Sequence, residues 1–397
     1  MVTIELKISE TMDNVDRAYP YLENRITRIS LEKRTTLGIN LGTFIFLKGK
    51  KGDILTLQVA NAFSEDVIDD PSVIYVTSKT FNKIGIKQYT NNVSIETVGD
   101  ITLGCDPEAF LIDKSTKAII SASRFFQKWT QVGFDGHMME LRPFPSTNEI
   151  VLLNNIYHLI LSARKILNHH NIGKQCKILG VSHYGTFTAG FHLHFGLPPI
   201  LLKRQPGTRS LIIQMVSALD YYVGIPSIIP EGTVDSFRRT VPYLDYGKPG
   251  NYRLNNRTLE YRVPGGYLLR HPILTLGLIS IGALVVEDII SRIKVCTDNF
   301  MEMEKVATHT DIIELYPHLP DIKELLSTIC STSTKNANKH LSIIEADFEK
   351  MLGWKKREIY IKQFIGCIKN NIIFTDDIEY NWRNFYNAKQ YRQMVVH

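Results

Sequence analysis

The chain has 397 residues, of which 44% are hydrophobic and 22% charged, and carries a formal net charge of +6. That is more than one hydrophobic core holds, and the composition is that of a folded protein, which excludes intrinsic disorder and a long coiled coil. The positive charge is spread without any Lys/Arg run, so it leans slightly toward acidic ligands such as nucleotides and says little about nucleic acid.

Five cysteines, Cys105, Cys176, Cys296, Cys330 and Cys367, lie far apart and are odd in number, which suits reduced thiols better than a disulfide framework. Met1 to Ala18 has no basic segment followed by an apolar one, so no secretory signal is read there. The longest apolar stretch, Ile273 to Val286, is shorter than a membrane span and reads as a buried helix. The expectation is a cytoplasmic protein without a membrane partner.

In chain order, residues 1–97 form a small β-rich accessory domain. Phe44–Leu47 and Ile54–Leu57 flank a polar, Gly-containing link and predict a hairpin, and Val73–Thr77 predicts a further strand. Residues 98–296 alternate strand-like segments with helices. There Ser146-Thr147-Asn148-Glu149 matches a capping box, and Leu152, Ile156, Leu159, Ala163 and Ile166 recur at helical spacing. Leu211–Val223 and Ile273–Ile293 are further helices, the second apolar on most faces and hence central. Residues 297–397 read as a helical C-terminal extension, with amphipathic pieces at Asp321–Leu326 and His340–Glu345. The fold class is α+β.

Four strand-like segments of the middle block place polar groups at i and i+2, hence on one face of a strand. The pairs are Asp106 and Glu108, Glu140 and Arg142, His192 and His194, and Glu260 and Arg262. The eight positions hold four carboxylates, two imidazoles and two guanidiniums, and no Lys, Ser or Thr. Hard oxygen ligands with an imidazole suit Mg2+ or Mn2+, and Arg suits bidentate capture of phosphate or carboxylate. Clustered carboxylates also repel one another unless a cation lies among them. These residue types fit phosphoryl transfer to a carboxylate.

Asp-Pro-Glu-x-Phe at 106–110, the Glu140 strand, Gly-x-His-x-His at 190–194 and Glu-x-Arg at 260–262, in this order, resemble the glutamine synthetase and glutamate-cysteine ligase superfamily. Within it the chain is most similar to phage-associated carboxylate-amine ligases, the type-2 amidoligases, with Tyr246-Gly247-Lys248-Pro249-Gly250-Asn251-Tyr252-Arg253 as a further shared pattern. The resemblance covers residues 101–295. It implies a curved, mainly antiparallel sheet flanked by helices, whose concave face binds ATP and two or three Mg2+ or Mn2+ ions. It also implies an acyl phosphate attacked by an amine, with host cytoplasm as the location if the chain is phage-encoded.

Carried over by the resemblance, Glu108, Glu140, His192 and Glu260 are metal ligands, with Asp106 a further one. His194 is a nucleotide-side residue. Arg253 and Arg262 hold the γ-phosphate and the acyl phosphate, so that with Glu260 they form the catalytic set, and Arg142 binds a substrate carboxylate. The sequence departs from glutamine synthetases where a second Glu stands eight residues before Glu140: here the residue is Val132, so that either Asp135 substitutes or one metal is bound differently, a turn alone being the favoured reading of Asp135-Gly136.

Other readings compete with this one. Each pair could be a solvated or ordinarily hydrogen-bonded strand face, with Pro107 marking an edge or bulge. The capping box accounts for Glu149. Arg238 and Arg239 stand between Pro230 and Pro242, either in a solvated loop or in a mobile phosphate-binding one. No Walker-type loop occurs. A metal-dependent hydrolase using His192, His194 and a carboxylate, and a non-catalytic viral structural or nucleic-acid-associated protein on a ligase-like fold, are the alternative functions. Substrates could be small molecules, peptides or modified macromolecules, and an oligomer is compatible with all of these.

Overall fold

Six strands between Val2 and Val98 close a sheet on itself. The computed structural model describes residues 2–9, 13, 26–37, 39, 44–48, 54–62, 70, 72–83, 92–98, 101–197, 199–202, 206–244, 246–255, 258–297, 316 and 318–388. Contacts divide the chain into two units, Met1–Thr102 with Pro145–Thr147, and Leu103–Phe144 with Asn148–His397.

In the first unit, β1 (Val2–Ile8), β2 (Ile26–Ile29), β3 (Phe44–Lys48), β4 (Ile54–Asn61), β5 (Ile74–Val76) and β6 (Asn92–Val98) form a closed barrel in the order β1-β5-β2-β4-β3-β6. The expected hairpin is β3 with β4, antiparallel from Phe44 opposite Gln58 to Lys48 opposite Ile54. Its link at residues 49–53 lies outside the described residues. Leu6, Ile29, Ile45, Leu57 and Ile74 fill the barrel, and closure leaves no open strand edge.

The second unit is the α+β body. Its strands are β7 (Thr102–Asp113), β8 (Ile119–Ile120), β9 (Val132–Asp135), β10 (Met138–Leu141), β11 (Cys176–Leu179), β12 (His183–Tyr184), β13 (Phe187–Thr188), β14 (Phe191–Gly196), β15 (Tyr252–Leu254) and β16 (Leu259–Tyr261). Eight of them form one sheet, ordered β15-β16-β14-β7-β10-β9 with β8 and β11 also on β7, and β12 and β13 pair separately. Strand β7 is antiparallel to β8, β10 and β11, β10 to β9, and β16 to both β14 and β15. Pro107 is therefore not at an edge, because β7 is central. The ladder to β14 runs past it through the Glu108 N–H, which donates to the Gly190 carbonyl at 2.9 Å.

One face of this sheet is apolar. Phe191, Leu193 and Phe195 are buried, and a Cβ on Gly282 would lie 2.8 Å from Phe195 Cζ. That close approach seats the helix Pro272–Thr297 directly on β14. On the helix's other flank a Cβ at Gly277 would overlap Phe364, which brings in the helix Trp354–Lys369. The C-terminal helices, read from the sequence as an extension from residue 297, thus pack into the second unit.

Three helices, Glu149–His169, Pro206–Glu231 and Pro272–Ile293, are long and apolar enough to cross a membrane by length and composition. The helix containing Ile273 is therefore not too short, contrary to the expectation from the apolar run alone. It is covered instead: 89% of its apolar window and 83% of that of Pro206–Glu231 lie inside the protein, against 39% for Glu149–His169.

The helix after Pro145 runs Glu149–His169, but its cap is Asn148, whose side chain accepts from the Ile150 and Val151 N–H groups. The expected capping box is not what holds Glu149. That residue is instead buried and ion-paired with Arg357 at 2.5 Å.

Candidate active site

The four sequence pairs stand on four consecutive strands of the sheet, in the order β16, β14, β7, β10. Register aligns them: Arg253 is opposite Glu260, and Glu260 is opposite His194. Glu108 is opposite Glu140, and Glu140 opposite Gly133. Segments separated by more than a hundred residues thereby share one polar face.

Asp106 is its centre. Its Oδ1 lies 2.9 Å from His192 Nδ1 and its Oδ2 3.0 Å from His194 Nε2. Burial acts to raise this carboxyl, but the two imidazoles override it and hold it well below the usual carboxylate range. The His192 contact is not aligned as a hydrogen bond, so the buried Oδ1 accepts none. His194, although desolvated, is raised by Asp106.

Glu260 Oε1 lies 3.7 Å from His192 Nδ1 and 2.5 Å from Arg262 Nη1, with Arg253 Nη1 at 3.9 Å. Arg253 is 67% exposed and rims the face. Glu140 is paired with Arg142, whose Nη1 also donates to the Thr130 carbonyl at 3.1 Å. Gly133 makes room for that guanidinium, since a Cβ there would overlap it.

Asp106, His194 and Glu260 each offer a ligand atom, all within 4.8 Å of one another, the arrangement of a potential metal site. The donor set of two carboxylates and an imidazole, with an orphaned buried oxygen on Asp106, fits a hard divalent cation. His194, assigned to the nucleotide side by resemblance, is therefore the imidazole of this group. His192, a ligand by the resemblance, has its Nδ1 2.9 Å from Asp106 Oδ1 and its Nε2 bonded to the Tyr246 hydroxyl. Val132 is buried, with its register partner Leu141, away from the acids, whereas Asp135 is exposed at the end of β9 on the face of Glu140.

Tyr246 is a site residue that sequence reasoning missed, although the motif it opens is visible. Besides His192 it reaches Glu108 Oε2 at 3.5 Å, and Glu108 accepts the Gly190 N–H at 2.5 Å. Burial raises the Glu108 carboxyl, opposed by His192 and by that N–H. A Cβ on Gly190 would overlap both Tyr246 and His192, so this glycine is required by close approach.

Arg238 and Arg239 occupy neither a solvated nor a phosphate-binding loop. They lie buried in the helix Phe237–Thr240. Arg238 donates to the Val263 carbonyl at 2.6 Å and the Arg262 carbonyl at 3.2 Å and covers the Tyr246 ring at 4.3 Å. Arg239 is paired with Glu231. The Arg238 partners lie 24 and 25 residues away, whereas that of Arg239 stands eight residues before it.

The α+β body gathers acids, imidazoles and guanidiniums on one face of its sheet. The chain belongs to the phage phiEco32-like COOH.NH2 ligase-type 2 family, whose model matches residues 103–364. No curated protein matches the chain. Among solved structures it is similar to a bifunctional glutathione synthetase from Pasteurella multocida at 12% identity, covering 68% of this chain and 52% of that one, with a TM-score of 0.33. It is also similar to a novel glutamine synthase homolog at 11% identity, covering 72% and 70%, with a TM-score of 0.39. The chain thus spans about half the length of the Pasteurella multocida protein.

Proposed function

We propose that the chain is an ATP- and Mg2+- or Mn2+-dependent ligase that joins a carboxylate to an amine. The observation that carries this reading is the convergence of Asp106, His194 and Glu260 within 4.8 Å on a face that also presents Arg253 and Arg262. Asp106, His194 and Glu260 would hold one divalent ion, and the facing Glu108 and Glu140 suit another. When bound, such ions would neutralise the charge that develops during transfer.

The chain's own groups have separate tasks. Arg262, anchored on Glu260 and lying 5.2 Å from the Tyr246 ring, stabilises the transferring phosphoryl group, while the exposed Arg253 meets the anionic ligand at the rim. Arg142 captures the substrate carboxylate. That carboxylate attacks the γ-phosphorus and ADP leaves; the amine then attacks the acyl carbon, phosphate leaves, and the amine gives up a proton. Nucleotide, acid and amine are the partners, in the cytoplasm of the cell or host. The hydrolase reading is weakened because His192 is engaged by Tyr246, leaving one imidazole for the ion.

The test is thermal stability of the purified chain with an ATP analogue, with and without Mg2+ or Mn2+, followed by ADP release with paired acids and amines. An upward shift that needs metal and disappears in Glu260→Gln is expected. A folded Glu108→Ala or Glu260→Ala protein that keeps full turnover would sink the proposal.

A further inference from the structure

We propose that Asp220 is a positioning residue that ties the Tyr246–Arg253 loop to strand β16, so that both arginines face a nucleotide's phosphates in one register. This rests on the ligase reading above and deepens it.

Asp220 belongs to none of the motifs. It opens a π-helical turn, Asp220–Gly224, between the helices Pro206–Leu219 and Ile225–Glu231, and turns of this kind are concentrated at functional sites. Its side chain is buried. Oδ2 accepts the Gly250 N–H at 2.7 Å and Oδ1 accepts the Tyr261 O–H at 2.9 Å. One carboxylate therefore clamps two segments. The first is the loop that begins at Tyr246 and leads to Arg253, and the second is the strand that carries Glu260 and leads to Arg262.

The surroundings are built for this clamp. Gly250 has φ +78°, a left-handed conformation in which glycine is unstrained, and it turns its N–H toward Asp220. Gly224, which closes the π turn, leaves room for the Tyr261 hydroxyl, since a Cβ there would lie 2.9 Å from it. The two clamped segments also meet directly, where the Arg262 N–H donates to the Asn251 carbonyl at 3.0 Å.

Only a carboxylate accepts from both donors at once. An Asn would keep both segments, its oxygen accepting the Gly250 N–H and its N–H2 donating to the Tyr261 hydroxyl, which accepts as well as donates, whereas Asp220→Leu, similar in size, bonds to neither. Tyr261→Phe removes the strand-side bond alone and leaves the loop anchored.

The experiment is hydrogen exchange over residues 246–253 of the full chain without ligand, together with titrations of Mn2+ alone and of an ATP analogue with Mn2+. Asp220→Leu is expected to speed exchange and to weaken the analogue, each about tenfold, as loss of the buried Gly250 hydrogen bond implies. Mn2+ affinity stays as in wild type, because the Asp106, His194 and Glu260 set remains held by the sheet. Tyr261→Phe should leave loop exchange near wild type.

Unchanged exchange in Asp220→Leu overturns the proposal, and so does equal weakening of Mn2+ and analogue, which marks a general structural role. If wild type takes Mn2+ but no analogue, the ligase reading fails while exchange still decides what Asp220 holds. Should the Leu variant not fold, Asp220→Glu, which keeps both acceptors but pushes the loop outward, replaces it with the same expectations.

Discussion

Removing the Arg357 guanidinium should destabilise the second unit without touching the candidate site. Arg357 is fully buried. Its Nε reaches Glu149 Oε1 at 2.5 Å, and its two terminal nitrogens grip Glu287 at 2.6 Å each. It pins the C-terminal helix Trp354–Lys369 to the helices that begin at Glu149 and Pro272. In Arg357→Met both carboxylates lose their partner. Glu287, at 23% side-chain exposure, can hydrate, but Glu149, at 3%, cannot. Breaking a buried pair from one side costs about 3–5 kcal/mol. For a unit of about 290 residues the unfolding entropy is about 0.6 kcal/mol/K, so Tm should fall by about 5–8 °C. Calorimetry and urea unfolding would measure it, with a lower midpoint and an unchanged slope. The double variant Arg357→Met, Glu149→Gln should recover a large part of the loss. A single variant costing under about 1 kcal/mol, or a double variant no better than the single, would refute the argument from stranded charge.

Tyr246→Phe keeps the ring under Arg238 but removes the hydroxyl from His192 and Glu108; it should fold normally and lose about 10–100-fold in metal affinity or turnover, measured by Mn2+ titration and ADP release. Gly247 has φ +75°, and a Cβ there would lie 2.8 Å from Arg238 Cζ, so Gly247→Ala should cost about 1–3 kcal/mol by thermal melting and weaken nucleotide binding as Tyr246 shifts. The pH dependence has a defined sign. Burial raises Asp220 from 3.8 to about 7, opposed by the Tyr261 and Gly250 hydrogen bonds. Its neutral form is favoured on folding, so its contribution is full below about pH 4 and is lost as pH rises to about 7. Asp220→Asn, neutral throughout, should gain stability relative to wild type across that window, by at most about 4 kcal/mol, in melts at pH 4.5 and pH 8. A constant difference would refute the shift.

How much of the molecule is legible in its sequence follows from where the information lies. Alternation along a strand is local, so Asp106 with Glu108, His192 with His194 and Glu260 with its neighbours fall on faces by residue spacing alone. That β16, β14, β7 and β10 are neighbours depends on pairings across the chain, and only chemistry hints at it, since separated carboxylates need a common cation. The misreadings share one cause. Glu149 satisfies a local capping rule, yet its partner is Arg357, 208 residues away. Arg238 looks solvated because the carbonyls of Arg262 and Val263 come from another segment. Pro107 looks like an edge marker, although the ladder passes it through a neighbouring N–H.

The same asymmetry bears on function. The residues suited to meet a metal or an anion repeat along strands and are legible as pattern, whereas Tyr246, Arg238 and Asp220, which set their orientation, are joined only by tertiary contact. Tyr246 binds His192 through a bond made possible by the absent side chain of Gly190, and Arg238 fits over Tyr246 because Gly247 has none. A sequence that kept all eight face residues but lost these glycines would retain the donor set and lose its geometry. Since a metal or phosphoryl site tolerates little misplacement of its ligands, such a chain should still fold around its apolar face of Phe191, Leu193 and Phe195 while failing to position Glu108, His192 and Arg262. The apolar core and the polar candidate site are thus encoded on opposite faces of the same strands.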